Sequence, residues 1–198
     1  MPFARLRAGE REVVSPFILH WLARALIRMA VFPIVKLGDP VLETPASAVT
    51  AFDDELRQLI ADMFESMYAA QGVGLAAPQI GIQKRLAVID VTFKDDPKAK
   101  LVLVNPEIIH SEGKQRGNEG CLSVPDVREP VTRPMRVTVR AQDAEGKFFE
   151  HTGEELLARA LMHETDHLNG KLFLQHVSAL KRDLIKRRVK KLIKAGKW

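Results

Sequence analysis

Arg159-Ala160-Leu161-Met162-His163-Glu164-Thr165-Asp166-His167-Leu168-Asn169-Gly170 is the stretch around which the rest of the chain is read. It contains His-Glu-x-x-His. On a helix, imidazoles four residues apart lie on one face, one turn apart, where both can point at a single metal ion. Glu164 adjoins the first imidazole, so its carboxylate can reach a water on that metal and take its proton. The flanks support a helix. Thr152-Gly-Glu-Glu155 reads as a capping box, Leu156 and Ala160 fall on the His163/His167 face, and Asn169-Gly170 reads as a stop. A third ligand must come from elsewhere.

Downstream the choices are few. No glutamate follows Glu164, and Phe173 stands where the Gly-x-x-His continuation of many metalloproteases needs histidine. Asp183 is surrounded by lysines and arginines and is a poor ligand. His176 stays open, although the apolar Leu172-Phe-Leu174 before it sets no ligand spacing. Upstream, Asn118-Glu-Gly-Cys-Leu-Ser123 holds the only cysteine, Cys121, after a glycine in what reads as a polar loop. A lone cysteine is usually a small buried hydrophobe. A Cys/His/His set with an open position suits catalytic zinc or iron(II).

Composition sets the frame. At 198 residues, 46% hydrophobic and 28% charged, the chain fits one soluble globular domain with a core of its own. With one cysteine there is no intrachain disulfide, which suits a reducing compartment. The net charge of +5 is unevenly placed: residues 181–198 carry nine Lys/Arg against Asp183 alone, while residues 29–180 hold an acidic excess. A basic tail on an acidic body points to a local anionic partner of the tail rather than to a wholly basic nucleic-acid binder.

Residues 1–28 have no domain character. Their longest uncharged run, Val13 to Ala23, is far short of the roughly 20 residues of a membrane span. Glu10, Glu12 and the lack of a small-residue cleavage site weigh against a signal or transit peptide. Pro33 to Leu42 reads as an extended opening with turn residues. Thr50, with Asp53 three residues on, reads as the cap of a helix whose stripe is Leu56, Leu59, Ile60, Met63, Phe64 and Met67. Gly72 to Gly81 is a tight glycine-rich loop with the Gln79 amide as a donor, and it lacks the Gly-Lys-Ser/Thr of a phosphate loop. Leu86–Val91, Leu101–Val104 and Arg136–Arg140 read as strands, Asp95-Asp-Pro-Lys as a turn, and Ala144-Glu-Gly-Lys as a hairpin turn. The expected class is α+β: short mixed or antiparallel strands around a central His-bearing helix, followed by an amphipathic C-terminal helix.

Three stretches together resemble the peptide deformylase family. They are Gly72-Val-Gly-Leu-Ala-Ala-Pro-Gln79, Glu119-Gly-Cys-Leu-Ser123 and Met162-His-Glu-Thr-Asp-His167, in the family's order, within a similarity running from about Met29 to Val177. Met162 replaces the usual glutamine and Thr165 a more apolar residue. Neither is a ligand or the base, and both read as packing variation.

The resemblance implies removal of the formyl group from N-terminal formylmethionine of nascent chains, with release of formate. It implies one ion per chain, iron(II) with zinc, nickel or cobalt as substitutes, held by Cys121, His163 and His167, and Glu164 as general base and acid. The Gln79 amide and the Leu122 N–H would stabilise the oxyanion. Val73, Gly74 and Arg128 match positions that hold the substrate backbone, and Glu119 with Arg133 matches an ion pair. Helical spacing makes Leu156 and Ala160 candidates for the methionine pocket. An oxidisable thiolate ligand and the nascent-chain substrate imply a cytoplasmic protein.

Two expectations concern the ends. Met29-Ala-Val-Phe-Pro-Ile-Val-Lys matches the usual opening of a bacterial deformylase, so residues 1–28 read as an N-terminal extension, either an upstream reading-frame addition or a leader, before a catalytic domain at 29–177. Residues 178–198 read as a basic helix capped by Ser178, with Leu180, Leu184, Ile185, Val189, Leu192 and Ile193 at helical spacing. Relatives dock such a helix beside the ribosomal exit tunnel. No DNA or membrane partner is expected. The competing readings are a zinc endopeptidase, or an RNA-binding protein with a structural metal.

Overall fold

In the computed structural model, which describes residues 30–197, strand β2 (Leu86–Ile89) is buried along its whole length. Successive strand residues face opposite sides, so an unbroken apolar run needs cover on both faces. Leu86 and Val88 point into one cluster with Leu56, Ile60, Met63, Phe64 and Met67 of α1 (Asp54–Ala69). Ala87 and Ile89 point into a second, with Ala158, Leu161 and Leu168 of α2 (Glu155–Leu168). The neighbours split in the same way: Leu75 and Val104 join the first cluster, Ala76 and Leu103 the second.

The sheet so enclosed has five antiparallel strands in the order β1 (Gly74–Ala76), β2, β3 (Leu101–Glu112), β6 (Arg136–Gln142), β7 (Phe148–Glu154). A separate hairpin pairs β4 (Gln115–Cys121) with β5 (Val124–Arg133). The amphipathic α3 (Ala179–Lys194) closes the described chain. This is the α+β architecture expected from the sequence, with three α-helices among the described residues. The expectations for residues 1–28 fall outside those residues. No described helix is long and apolar enough to cross a membrane.

Several local readings need correction. Thr50 caps nothing. Asp53 is the N-cap of α1, its carboxylate accepting from Leu56 N–H at 3.0 Å. Thr152 is not a cap either, because it lies inside β7 and its hydroxyl meets that of Thr138 across the sheet at 2.9 Å. The chain turns from β7 into α2 through Glu155 at φ +49°, with no side-chain cap. Glu155 N–H donates to Met135 carbonyl, and Gln115 Nε2 donates to the carbonyls of Pro134 and Glu155, so tertiary contacts shape this corner. The strand read at 101–104 continues to Glu112. The stretch around Cys121 is the end of β4 rather than a loop. Charged residues and Pro125 and Pro130 hide this hairpin, yet a two-stranded edge tolerates both.

Other readings hold. Asp143 and Lys147 close the β6–β7 turn, with Gly146 at φ +83°. Helix α2 ends at Asn169, followed by Gly170 at φ +68°, and Ser178 caps α3 by accepting from Lys181 N–H. The extended opening ties distant parts together. Val35 N–H donates to Gln79 carbonyl at 2.7 Å and Leu37 N–H to Ser123 carbonyl at 2.8 Å.

Candidate metal centre and cavity

Helix α2 supplies the two imidazoles, and β4 brings Cys121 up to them. Cys121 Sγ lies 3.2 Å from His167 Nε2, which lies 3.2 Å from His163 Nε2. All three ligand atoms fall within 4.8 Å of one another. His176 is not part of this group: its Nε2 faces Asp166 at 2.8 Å and Arg133 at 3.2 Å. Among the described residues no ligand set takes in Asp183.

The donors are held from behind. His163 Nδ1 faces Glu119 Oε1 at 2.7 Å, which leaves Nε2 for the centre. Glu119 also receives Arg133 through both oxygens, at 2.7 and 3.1 Å, and Arg159 Nη1 at 2.9 Å. Arg133 reaches on to Asp166 at 2.7 Å. Burial works against a charge on Glu119, but the His163 and Arg133 hydrogen bonds outweigh it and hold the carboxyl far below its ordinary range. The expected Glu119–Arg133 pair is thus buried, and it belongs to a larger network.

The two imidazoles respond to this surrounding in opposite directions. Burial opposes a charge on His163, yet Cys121 and Glu119 raise its pKa well above the ordinary imidazole value. His167 goes the other way, through burial and the neighbouring His163. A thiol and two imidazoles whose donor atoms converge can exchange shared protons for a borderline-soft divalent cation, so the residues fit a metal ion.

Glu164 stands beside this group. Burial pushes its carboxyl up to about 7; His163 opposes the shift and the charges of Glu119 and Asp166 add to it. Its Oε2 is buried without a partner among the described residues. Gly74 makes room for it, since a Cβ there would stand 2.3 Å from Glu164 Oε1. Gln79 is oriented by its own turn: Ala76 N–H donates to Oε1 at 2.9 Å, and Nε2 therefore faces Cys121 Sγ at 3.5 Å and Ser123 Oγ at 3.3 Å.

A cavity of about 630 Å³ opens over these groups. Cys121, His163, Glu164 and Gln79 line it, as do Val73 and Gly74 beside α1, and Leu122 and Arg128 of the hairpin. Leu156 and Ala160 line it from α2. His167 is buried behind them. The residues to which the resemblance gives metal, catalytic or substrate-binding roles therefore lie at this cavity or in the donor group. Sequence reasoning missed Arg159, which lines the same cavity, and the pairing of Asp166 with His176, which it had weighed only as a ligand. The signal for Arg159 was present: it precedes His163 by four residues, so it shares the ligand face.

A thiol, two imidazoles one helical turn apart and a buried carboxylate at a cavity define a metal-dependent hydrolase. The description Polypeptide deformylase matches residues 31–183. A peptide deformylase of Acidobacterium capsulatum is 62% identical over 170 residues, 86% of this chain and 100% of the relative. A solved peptide deformylase of Legionella pneumophila superposes with a TM-score of 0.78 at 48% identity, over 84% of this chain and 98% of that one. Another, from Synechococcus elongatus in complex with actinonin, gives 0.74 at 43% identity over 83% and 88%. The chain belongs to the peptide deformylase family.

Proposed function

We propose the following assignment of roles for the removal of the formyl group from nascent peptides by this enzyme. Cys121, His163 and His167 hold one iron(II) ion, for which zinc, nickel or cobalt can substitute. The ion, when bound, supplies Lewis acidity and brings a water's pKa toward neutrality. Glu164 takes that water's proton as its oxygen bonds to the formyl carbon, and returns a proton to the nitrogen as the C–N bond breaks, giving formate and a free N-terminus. The observation that carries this reading is the Glu164 carboxylate: Oε2 has no partner among the described residues, and burial brings the group to about 7, where it can both accept and donate.

Gln79 Nε2, held by the Ala76–Oε1 bond, and the Leu122 N–H donate to the developing oxyanion. Leu156 and Ala160 receive the methionine side chain, and Val73, Gly74 and Arg128 hold the peptide backbone. The test is formate release from formyl-Met-Ala-Ser by protein purified without oxygen. Turnover is expected with the formylated peptide and none with its acetylated counterpart. Equal cleavage of both would remove the formyl specificity.

The unit at 29–177 carries this chemistry, and the basic helix from 178 serves as a docking element for the ribosome near its exit tunnel. Its support is how little of α3 is used in packing. Val189 alone is buried in it, Ile185 packs partly, and Leu180, Leu184 and Ile193 stay exposed. Lys181 pairs with Glu129 and Lys186 with Glu43, whereas Arg187, Lys190 and Lys194 form an exposed row. Reversing those three to Glu keeps the Val189 contact. It should abolish salt-sensitive co-sedimentation with ribosomes while formate release from a free peptide continues. Undiminished sedimentation at low salt would make α3 a packing element only.

A further inference from the structure

Arg159 lines the same cavity as Leu156 and Ala160, its neighbours on α2. Its Nη1 donates to Glu119 Oε2 at 2.9 Å and lies 3.3 Å from Val131 carbonyl. Among the described residues its Nε and Nη2 meet no acceptor, although the residue is only 8% exposed and lines the cavity. The guanidinium has a prepared place: Gly117, in β4, faces it, and a Cβ there would stand 3.2 Å from Nη2. Glu119 anchors one end of a planar fork with five N–H donors, and the residue lines a cavity to which the same helix contributes Leu156 and Ala160. A purely apolar pocket cannot tell a thioether from a methylene of similar size. A fixed donor can, because sulfur accepts weakly and a sulfoxide oxygen accepts strongly.

We propose that Arg159 is a specificity-determining residue that reads the heteroatom of the N-terminal side chain, favouring methionine over norleucine and admitting methionine sulfoxide. The proposal rests on the assignment of the Leu156/Ala160 region to that side chain. With Glu119 holding Nη1, the stem of Arg159 packs beside the substrate's methylenes and Nη2 donates to the sulfur or its oxygen. The enzyme thereby also accepts nascent chains whose first residue has been oxidised.

The test compares kcat/KM for formate release from formyl-peptides that differ only in the first residue: methionine, norleucine or methionine sulfoxide. Measurements on the metal-loaded wild type and Arg159→Met use ratios within each protein, so any general loss through Glu119 cancels. Wild type should favour methionine over norleucine by about fivefold, the worth of one hydrogen bond of about 1 kcal/mol. Arg159→Met should bring that ratio to about one. It should also lower the sulfoxide-to-norleucine ratio by about tenfold or more, as for a bond from a charged donor. Gly117→Leu, whose side chain would fill the space beside Nη2, serves the same comparison if Arg159→Met does not fold. Ratios unchanged from wild type in the folded variant would overturn the proposal. A wild type that turns over all three peptides alike would overturn the side-chain pocket assignment as well, and one that releases no formate would contradict the deformylase roles themselves.

Discussion

Glu164 and Gly74 share one small volume, and neither makes sense without the other. The Glu164 carboxylate occupies the space that a side chain at position 74 would fill, 2.3 Å from an ideal Cβ. Gly74→Ala should therefore push Oε1 aside. We expect kcat/KM for a formyl-peptide to fall at least about a hundredfold, the scale of a displaced general base, with the fold retained by circular dichroism. Activity within twofold of wild type would mean that the Glu164 position is not critical. At this scale the sequence was informative where spacing fixes geometry: His163, Glu164 and His167 share a helix face by arithmetic alone. For Arg159 the spacing gave its helix face but not its burial, since an arginine on a helix normally reads as solvated. Its burial depends on Glu119, forty residues earlier, and no local pattern reports such a partner.

Helix α1 illustrates how an element is held at its end. Tyr68, in its last turn, donates its hydroxyl to Asp90 Oδ2 at 2.6 Å, just past β2. Thr92 Oγ1, Thr92 N–H and Lys94 N–H complete the carboxylate's partners. Burial works to raise the Asp90 pKa, but these donors outweigh it and bring the group from 3.8 to about 2. A carboxylate with a lowered folded pKa contributes stability that is fully present above its unfolded value and is lost as pH falls through the folded one. Asp90 should thus support the fold at neutral pH and cease to do so between about 4 and 2. Tyr68→Phe removes one donor to a buried acceptor and should cost about 1–3 kcal/mol in urea unfolding at pH 7, with a smaller difference near pH 3. Equal midpoints at pH 7 would show the bond to be neutral.

At the scale of elements, strands and helices with a buried face were legible in the sequence, and Ser178 was read correctly as the cap of α3, whereas the starts of α1 and α2 were not. Asp53 rather than Thr50 opens α1, and a residue at positive φ rather than a cap opens α2. The corner before α2 is shaped by Gln115 and Met135, which lie far from it in sequence. The β4–β5 hairpin escaped because its alternation is of charges and prolines, with little apolar signal. It is nonetheless the element that brings Cys121 to the imidazoles.

Across the whole molecule, three stretches distant in sequence meet at one cavity. The Gly72–Gly81 segment (read as a loop from sequence but carrying β1), the end of β4 and helix α2 are laced by the opening segment and by the Glu119 network. Charge placement was readable as a basic tail on an acidic body. How much of that tail the body covers was not, because Val189 alone is buried among its apolar residues. The central claim is that Cys121, His163 and His167 hold a metal ion while Glu164 moves the proton. Glu164→Gln tests it by measuring bound metal and formate release on the same anaerobic preparation. One metal ion per chain is expected, as in the wild type, with turnover lowered by about a hundredfold to ten-thousandfold. Metal retained together with turnover near the wild-type rate would contradict it.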